Sequence, residues 1–476
     1  MTDTVKTLVF AAVAAVLAAA ALFAVPRAPK PELFVDQGEE FYPEFKNAND
    51  AAALSIVEYF EQTGAVRAFK VELKDGKWVI PSHHNYPADA KDRMARTAKS
   101  VIDLRKDVYR GDRTQDHEEF GVVDPAEEKK GGGRRVTFHD RNGQVLADYI
   151  FGVETKDGSG LRYVRLPGQK RVYATRTPAE ISGRFEDWIE TDLLKLSSAA
   201  VRQVRFDNYS IDEVNGTLVN RREYILSRDD GAAPWKVTGM KDTEEPHGEN
   251  VSTLVTALDD LKIVGVRLKP PGLTRALQAP EGSPMRLTVQ DVRSLEARGY
   301  YIVRGQLLSN EGEIEACCED GIVYTLRFGE ILVGAGEALE VGTDDPKDRG
   351  DPKKDPKKEG SENRFLFTTC RFDESLLGAA PVDPGEFKKD PAWTDEQAKK
   401  EEEAHKAKKD DYDRKKKEYD GKVAAGRKRT QELSNRFADW YYVISADYFK
   451  KLRRSREELV RPKSAPPKPD DPHKHD

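Results

Sequence analysis

One stretch of this chain occurs twice, and that duplication limits what it can fold into. From Trp78 to Leu104 the sequence reads WVIPSHHNYPADAKDRMARTAKSVIDL, and from Trp235 to Leu261 it reads WKVTGMKDTEEPHGENVSTLVTALDDL. Laid over each other without a gap at an offset of 157, they place Trp78 on Trp235, Val101 on Leu258 and Leu104 on Leu261. An Asp-Gly pair (Asp75-Gly76, Asp230-Gly231) precedes each tryptophan and an amphipathic pattern follows it. A self-similar period containing a turn, a strand pattern and a helix pattern implies two copies of one supersecondary unit. The expected fold is α+β, with two repeated units of antiparallel hairpins and packed helices. Trp78, Leu104, Trp235 and Leu261 are the expected structural core of the repeat.

Composition narrows the class. In 476 residues, 78 basic side chains face 84 acidic ones, giving a net charge of −6. The two signs are interspersed, so no global field recruits nucleic acid, and none is expected as a partner. Three cysteines, Cys317, Cys318 and Cys370, are too few and too clustered for a disulfide framework or a zinc site. The adjacent pair reads as strand residues, and a Cys370 bridge to one of them stays open in an oxidising compartment.

The first 35 residues read as an anchor and spacer. Leu8 to Val25 is an unbroken, alanine-rich apolar run after Lys6 and before a Pro-rich segment. Eighteen residues at a rise of 1.5 Å reach about 27 Å, enough to cross a hydrocarbon core. An uncleaved single-pass transmembrane helix is expected, with a cleaved signal peptide as the competing reading. Either places the bulk of the chain across the inner membrane, on the periplasmic side.

Residues 36–200 then read as the first α/β unit and 201–380 as the second. In the first, Asn49 to Gln62 suggests a short helix, Phe69 to Leu73 and Trp78 to Ile80 a hairpin through Asp75-Gly76, and Pro87 the start of a helix carrying Met94, Ala98, Val101 and Ile102 on one face. Further hairpins run through Asp140–Gly143 and Pro167-Gly168. Thr177-Pro178-Ala179-Glu180 is a capping-box pattern, predicting a helix that buries Ile181, Phe185, Trp188, Ile189 and Leu193. In the second, strands are expected at Met285–Val289, Tyr300–Val303, Gly321–Phe328 and Arg364–Cys370. Tyr324 to Gly329 resembles Tyr149 to Gly152, and Arg364-Phe-Leu-Phe resembles Leu161-Arg-Tyr-Val, so the repeat extends beyond the helix. The Lys/Asp/Pro-rich stretch 342–363 cannot bury apolar surface and reads as a disordered loop. Residues 381–460 form a charged helical extension, Thr394 to Gln431 being almost wholly charged, followed by a docking helix from Arg436 to Leu459. Residues 461–476 are a proline-rich tail.

No catalytic constellation emerges. Ser82-His83-His84 precedes a helix, but adjacent histidines rarely converge on one metal and no ligand-spaced partners accompany them, so they read as turn and cap. Gly334-Ala-Gly336 lacks the third glycine, βαβ context and acidic partner of a dinucleotide fingerprint. Gly131-Gly132-Gly133 lacks the Lys-Ser/Thr of a phosphate loop and reads as a flexible connection. No catalytic, cofactor-binding or metal residue is assigned, no cofactor is expected, and the chain reads as a non-enzyme.

Trp78 with its following Pro-Ala-Asp helix, Phe120-Gly121-Val122-Val123-Asp124-Pro125, Asp148 to Gly152, Arg162 to Arg165, Val172-Tyr173 and the Pro178 segment with Trp188 and Leu194 together resemble a bacterial family, domain of unknown function 4340. Ser82 to Asp89 and Asn435 to Tyr442 are similar to its long planctomycete branch. The resemblance covers most of residues 36 to 460. It implies a membrane-anchored envelope protein of repeated α/β units, associated with ABC-type export or gliding machinery, and no known activity. The leading expectation is therefore an accessory or scaffold component with protein partners in the envelope, ABC transporter subunits among them. The alternative is a glycan- or peptide-binding module using a groove between the units.

Overall fold

The computed structural model describes Ala14 and residues 36–60, 65–127, 130–177, 181–212, 217–279, 283, 286–333 and 362–463. The expected anchor at 8–25 apart from Ala14, the Gly334-Ala-Gly336 motif, residues 342–361 of the expected loop and the tail from 464 lie outside the described residues, while Glu362 and Asn363, expected to end that loop, begin a strand. Among the described residues no helix is long and apolar enough to cross a membrane.

Strand by strand, the first copy comprises β1 (Ala53–Phe60), β2 (Ala65–Lys74), β3 (Lys77–Ile80), β4 (Tyr86–Pro87), α1 (Lys91–Ile102), β5 (Val108–Gly111), β6 (Arg134–His139), β7 (Val145–Glu154), β8 (Arg162–Arg165) and β9 (Val172–Thr175). The second comprises β10 (Val201–Asp212), β11 (Thr217–Ser227), β12 (Lys236–Val237), β13 (Glu244–Pro246), α2 (Gly248–Asp259), β14 (Gly265–Leu268), α3 (Pro271–Gln278), α4 (Val289–Glu296), β15 (Tyr300–Val303), β16 (Gln306–Ser309), β17 (Glu313–Cys318), β18 (Ile322–Val333), β19 (Glu362–Phe372), α5 (Asp395–Ala438), β20 (Trp440–Ile444), α6 (Ala446–Leu452), α7 (Arg456–Leu459) and β21 (Val460–Pro462). By packing the chain divides into two compact units. One holds the described residues up to Ala68 with Asp92–Ile181, the other Phe69–Lys91 with the residues from Ser182 onward.

In the first unit six strands run in the order β1-β6-β7-β8-β9-β5, and in the second the corresponding six run β10-β17-β18-β19-β20-β14. The two orders match strand for strand, all neighbours being antiparallel. β2 and β3 form a hairpin, as expected, with Asp75 and Gly76 both at positive φ (50° and 76°), the type I′ signature. α1 and α2 begin and end 157 residues apart, which is the offset read from the sequence. Their buried positions coincide too: Met94, Thr97, Ala98 and Val101 against Val251, Leu254, Val255 and Leu258.

Each sheet buries both faces. In the first unit Tyr149 on β7 is fully buried and donates its hydroxyl to the Val101 carbonyl of α1 at 3.1 Å. The opposite face packs Ile150 and Val172 against Val122, Phe120 and Tyr163. In the second unit the equivalent layer is enlarged by α3, α4 and β15, whose Leu273, Leu295 and Tyr300 cover Phe365, Phe367, Tyr441 and Val443.

Several local expectations are corrected. Of the helix expected from Asn49 to Gln62, the described part to Phe60 is not α-helical: a short 3₁₀ turn (Ala48–Asp50) leads into β1. Leu54 and Ile56 are buried two residues apart, so the period is that of a strand, and pairing with β6 decides an ambiguous apolar run. The segment after Thr177 buries Ile181, Phe185, Trp188, Ile189 and Leu193 as expected. Its described part, however, holds only the 3₁₀ turn Phe185–Asp187, with Trp188 Nε1 donating to the Ser182 carbonyl at 2.8 Å. Residues 178–180, which carry the capping pattern, lie outside the described residues. Val289 opens a helix rather than closing a strand, because Thr288 and Asp291 form a reciprocal capping box. The docking helix expected from Arg436 is a helix end, a strand and a second helix. Trp440-Tyr-Tyr-Val-Ile444 is a fully buried, β-prone run between β19 and β14.

The charged helix is present and runs on to Ala438, 44 residues or about 66 Å. Its last turns dock: Leu433, Phe437 and Ala438 are buried, and a side chain at Gly426 would run into Phe372. The rest is not simply solvated. The chain leaving β19 returns alongside it, with Glu374 bonded to Arg427 at 3.2 Å, Asp383 to Lys409 at 2.8 Å, and Phe387 against His405 and Trp393. Helix and return strap together make an arm of the second unit.

Candidate functional site

The duplicated feature that organises a site is a glycine bulge on the third strand of each sheet order. In β7 the pairing to β8 slips between Phe151 and Glu154, and in β18 the pairing to β19 slips between Phe328 and Ile331. Each slip contains a Phe-Gly pair, Phe151-Gly152 or Phe328-Gly329. A Cβ at Gly152 would run into the carbonyl oxygen of Phe120, and one at Gly329 into that of Arg298. The residues after those carbonyls, Gly121 and Gly299, both have positive φ (64° and 79°). Only glycine allows this backbone-on-backbone approach.

An arginine from the next strand completes the motif. Arg162 donates to the Gly152 carbonyl at 2.9 Å, and Arg364 donates to the Gly329 carbonyl at 2.6 Å. Each satisfies a carbonyl that the bulge removes from the ladder. This is the physical content of the Phe-Gly…Arg similarity seen in the sequence.

In the first unit the bulge opens onto a cavity of about 460 Å³. Glu58, Tyr59, Arg134, Phe151, Gly152 and Arg162 line it, and Gly131, Gly132 and Gly133 form one wall. The glycine run is therefore not a slack connection. A Cβ at Gly131 would lie 2.7 Å from the Glu118 backbone, and one at Gly133 2.6 Å from the Gly121 carbonyl oxygen. Arg134 bonds Glu58 at 2.8 Å and donates to the Ile181 carbonyl at 3.0 Å, while Arg162 bonds Glu154 at 3.0 Å. The lining carries three carboxylates (Glu58, Glu118, Glu154) against two guanidiniums.

In the second unit the corresponding place is filled by the chain itself. The registers equate Glu58 with Asn208, Phe151 with Phe328 and Arg162 with Arg364. Phe449 of α6 sits edge-on to Phe328 at 5.2 Å, with the Arg364 guanidinium 4.3 Å above its ring. Arg453 is paired with Glu311, and Asn208 donates to the Arg454 carbonyl at 3.1 Å.

Elsewhere, the polar clusters are structural. Arg135 bridges Asp124 at 2.8 Å and Asp148 at 2.7 Å, and Thr137 also donates to Asp148. Lys269 is fully buried, donating to the Phe437 carbonyl at 2.9 Å at the end of α5 with its ammonium 4.0 Å from the Phe367 ring. Burial pushes its pKa well down. Burial pushes the thiols up, to about 11 for Cys317 and Cys370 and about 12 for Cys318. All three cysteines are free, so no Cys370 bridge forms, and Cys317 and Cys318 lie in β17. His83 stacks on Phe185 at 4.3 Å with the rings nearly parallel, and His84 turns the chain at φ 55°. Among the described residues no group of three His, Cys, Asp or Glu is arranged to hold a metal ion.

Of the four repeat residues, Leu104 and Leu261 are buried, at 6% and 0% exposure. Trp78 and Trp235 are half-buried, and Arg228 lies over the Trp235 ring at 4.5 Å. The tryptophans therefore flank the core and the leucines enter it. Glu58, Tyr59 and Arg134 were not legible as site residues, since the segment holding the first two reads as a helix. The signal that could have found the bulge was the twice-occurring Phe-Gly followed by arginine.

Fold and motif together define a duplicated α+β protein built on antiparallel sheets with a glycine-bulge signature. Residues 78–284 match the family described as Domain of unknown function (DUF4340). The matched segment includes both tryptophans, α1, the first copy's glycine bulge and α2. Neither the curated proteins nor the solved structures return a match.

Proposed function

We propose that this chain is a non-enzymatic, membrane-anchored envelope protein that serves as an accessory or scaffold component, held by residues 8–25 with its bulk on the periplasmic side of the inner membrane. The observation that carries this reading is the form of its described surface: a glycine-walled groove in one copy of the fold and a long charged arm in the other. These are recognition features, and the strongest polar clusters around them are spent on holding bulges and strands together. The apolar run at the N-terminus and the family association favour an ABC-type export or gliding-like complex as the setting. The test is crosslinking in intact membranes with a C-terminally tagged chain, followed by mass spectrometry of the captured proteins. Enrichment of permease and ATPase subunits is expected; recovery of the chain alone would contradict the reading.

A second reading, a peptide-binding module, is favoured by one observation. The place equivalent to the first unit's groove is occupied in the second unit by a peptide segment of this same chain.

A further inference from the structure

The arm is an insertion into the repeat. In the first copy β8 and β9 are joined by the short turn 166–171, whereas in the second β19 and β20, the strands in the same places, are joined by residues 373–439. An element added to a finished sheet must be docked on it, and α5 is docked differently along its length.

The C-terminal end is held by hydrogen bonds to carbonyls that a helix leaves unpaired. Lys269 donates to the Phe437 carbonyl at 2.9 Å, the Tyr442 hydroxyl to that of Arg436 at 3.1 Å and the Thr274 hydroxyl to that of Ala438 at 3.4 Å. Two turns earlier the seam is of another kind. Phe372, Cys370 and Thr368 alternate along one face of β19, and Tyr324 of β18 pairs with Cys370. α5 crosses them with Gly426 against Phe372 and with Thr430 and Ser434 over Cys370. Here the hydroxyls of Tyr324, Thr368 and Thr430 are closed off from solvent, and among the described residues none of the three has a hydrogen-bond partner. The Cys370 thiol reaches the Thr430 carbonyl at 3.5 Å and the Ser434 hydroxyl at 3.4 Å, both weak bonds because sulfur is a poor donor.

A buried hydroxyl without a partner has lost its water and gained nothing, so each weakens the docked state against an open one in which water returns. The helix adds to this. A Cβ at Gly421, just outward of the seam, would meet nothing within 4 Å, so the effect of that glycine is to loosen the helix. The seam is closed by buried Leu433 and by two ion pairs at the surface, Arg429 with Asp320 at 3.1 Å and Arg427 with Glu374 at 3.2 Å, which water and salt weaken.

We infer that the stretch of α5 from Gly421 to Ser434 is a latch, which lifts from β18 and β19 about a pivot at Arg436 to Ala438 while the sheet stays folded. The movement has a consequence beyond the arm. Arg429 donates to the Lys195 carbonyl and Arg436 to the Asp192 carbonyl at 2.9 Å, so α5 grips the turn in which Lys195 is held at φ 52°. That turn lies in the segment leading from the first copy of the repeat to β10. Load on the arm therefore reaches this segment through Arg429, and the open latch frees the Lys195 carbonyl. The device stands whether or not the scaffold reading holds.

Native-state thiol labelling tests it, because Cys370 lies under α5 while Cys317 lies on the opposite face of the same sheet. The full-length, detergent-solubilised chain is treated with a small thiol reagent in denaturant below its unfolding transition, and labelling at each cysteine is followed by mass spectrometry. Cys370 is expected to react about tenfold faster than Cys317, by local opening. Replacing two of the unpartnered hydroxyls by apolar groups of the same shape, Thr368→Val with Thr430→Val, should slow Cys370 about tenfold and leave Cys317 unchanged. Arg429→Gln, at an exposed side chain, should speed Cys370 about fivefold, again without effect on Cys317. Thermal midpoints establish that the variants fold, and if the double variant does not, Arg429→Gln decides alone. Cys370 labelled only through the global transition, in step with Cys317, overturns the latch. So does a Cys370 rate left unchanged in any variant that folds.

Discussion

Arg162 donates to the carbonyl of Gly152 at 2.9 Å, and through that bond one strand of the first sheet holds open the bulge of its neighbour. The same bond recurs between Arg364 and Gly329 in the second sheet. Two occurrences of one irregularity, each with its glycine, its arginine and its covering positive-φ glycine, mark it as a built feature of the repeat.

Gly152→Ala and Gly329→Ala should therefore each destabilise their unit by about 1–3 kcal/mol, because the new methyl meets backbone that cannot swing aside. Chemical denaturation of each variant checks this. Gly143→Ala, at a hairpin turn where a Cβ meets nothing within 4 Å but φ is +79°, should cost less, of order 1 kcal/mol.

The three thiols titrate above their ordinary value of 9.0 because burial disfavours the thiolate. Their contribution to stability is complete below pH 9 and is lost as pH rises from about 9 toward about 12. At pH 8 the native chain should accordingly react with a thiol reagent far more slowly than the same chain in denaturant. Fast labelling of all three in the native state would contradict their placement.

Lys269 has the opposite sign. Its folded pKa lies well below 10.5, so its contribution is present above the unfolded value and is lost as pH falls through the folded one. Between pH 10 and pH 6 the thermal midpoint of the chain should carry a downward component that Lys269→Met removes. The comparison of the two midpoint-versus-pH slopes is the measurement. Parallel slopes would mean the amine is not held in its buried seat.

The arm should be separable from the fold. Replacing residues 383–418 with a short Gly/Ser linker removes the strap and the outer helix but keeps Gly426, Leu433 and Phe437, which dock. We expect this variant to keep its thermal midpoint, and Phe437→Ala to lower it, since a fully buried phenylalanine costs about 3–5 kcal/mol to truncate.

How much of this was legible in the sequence follows from which forces decided each element. The helices α1 and α2 were legible as elements because an amphipathic period fixes its own face, but not their limits: Pro87, expected to open α1, pairs with Val79 in β4, and α1 begins at Lys91. The Asp75-Gly76 hairpin was equally local, its turn chemistry being sufficient. β1 was not. Leu54, Ile56 and Val57 satisfy a helical and a strand period alike, and only pairing with β6, some eighty residues on, resolves them. Trp440 to Ile444 failed for the same reason, a strand buried on both faces having no alternation to read. The groove was illegible because its residues come from β1, β6, β7 and β8 and are assembled by register alone. Its two glycine features, Gly131 to Gly133 and Gly152, could be seen, but their meaning lies in the backbone they touch.

The most direct measurement of the central claim is photocrosslinking from a benzoylphenylalanine at position 153, at the mouth of the first unit's groove, compared with the same residue at position 145, which is exposed on the same strand away from it. In living cells a discrete protein adduct is expected from 153 and none from 145. Equal adducts from both positions, or none from 153, would contradict it.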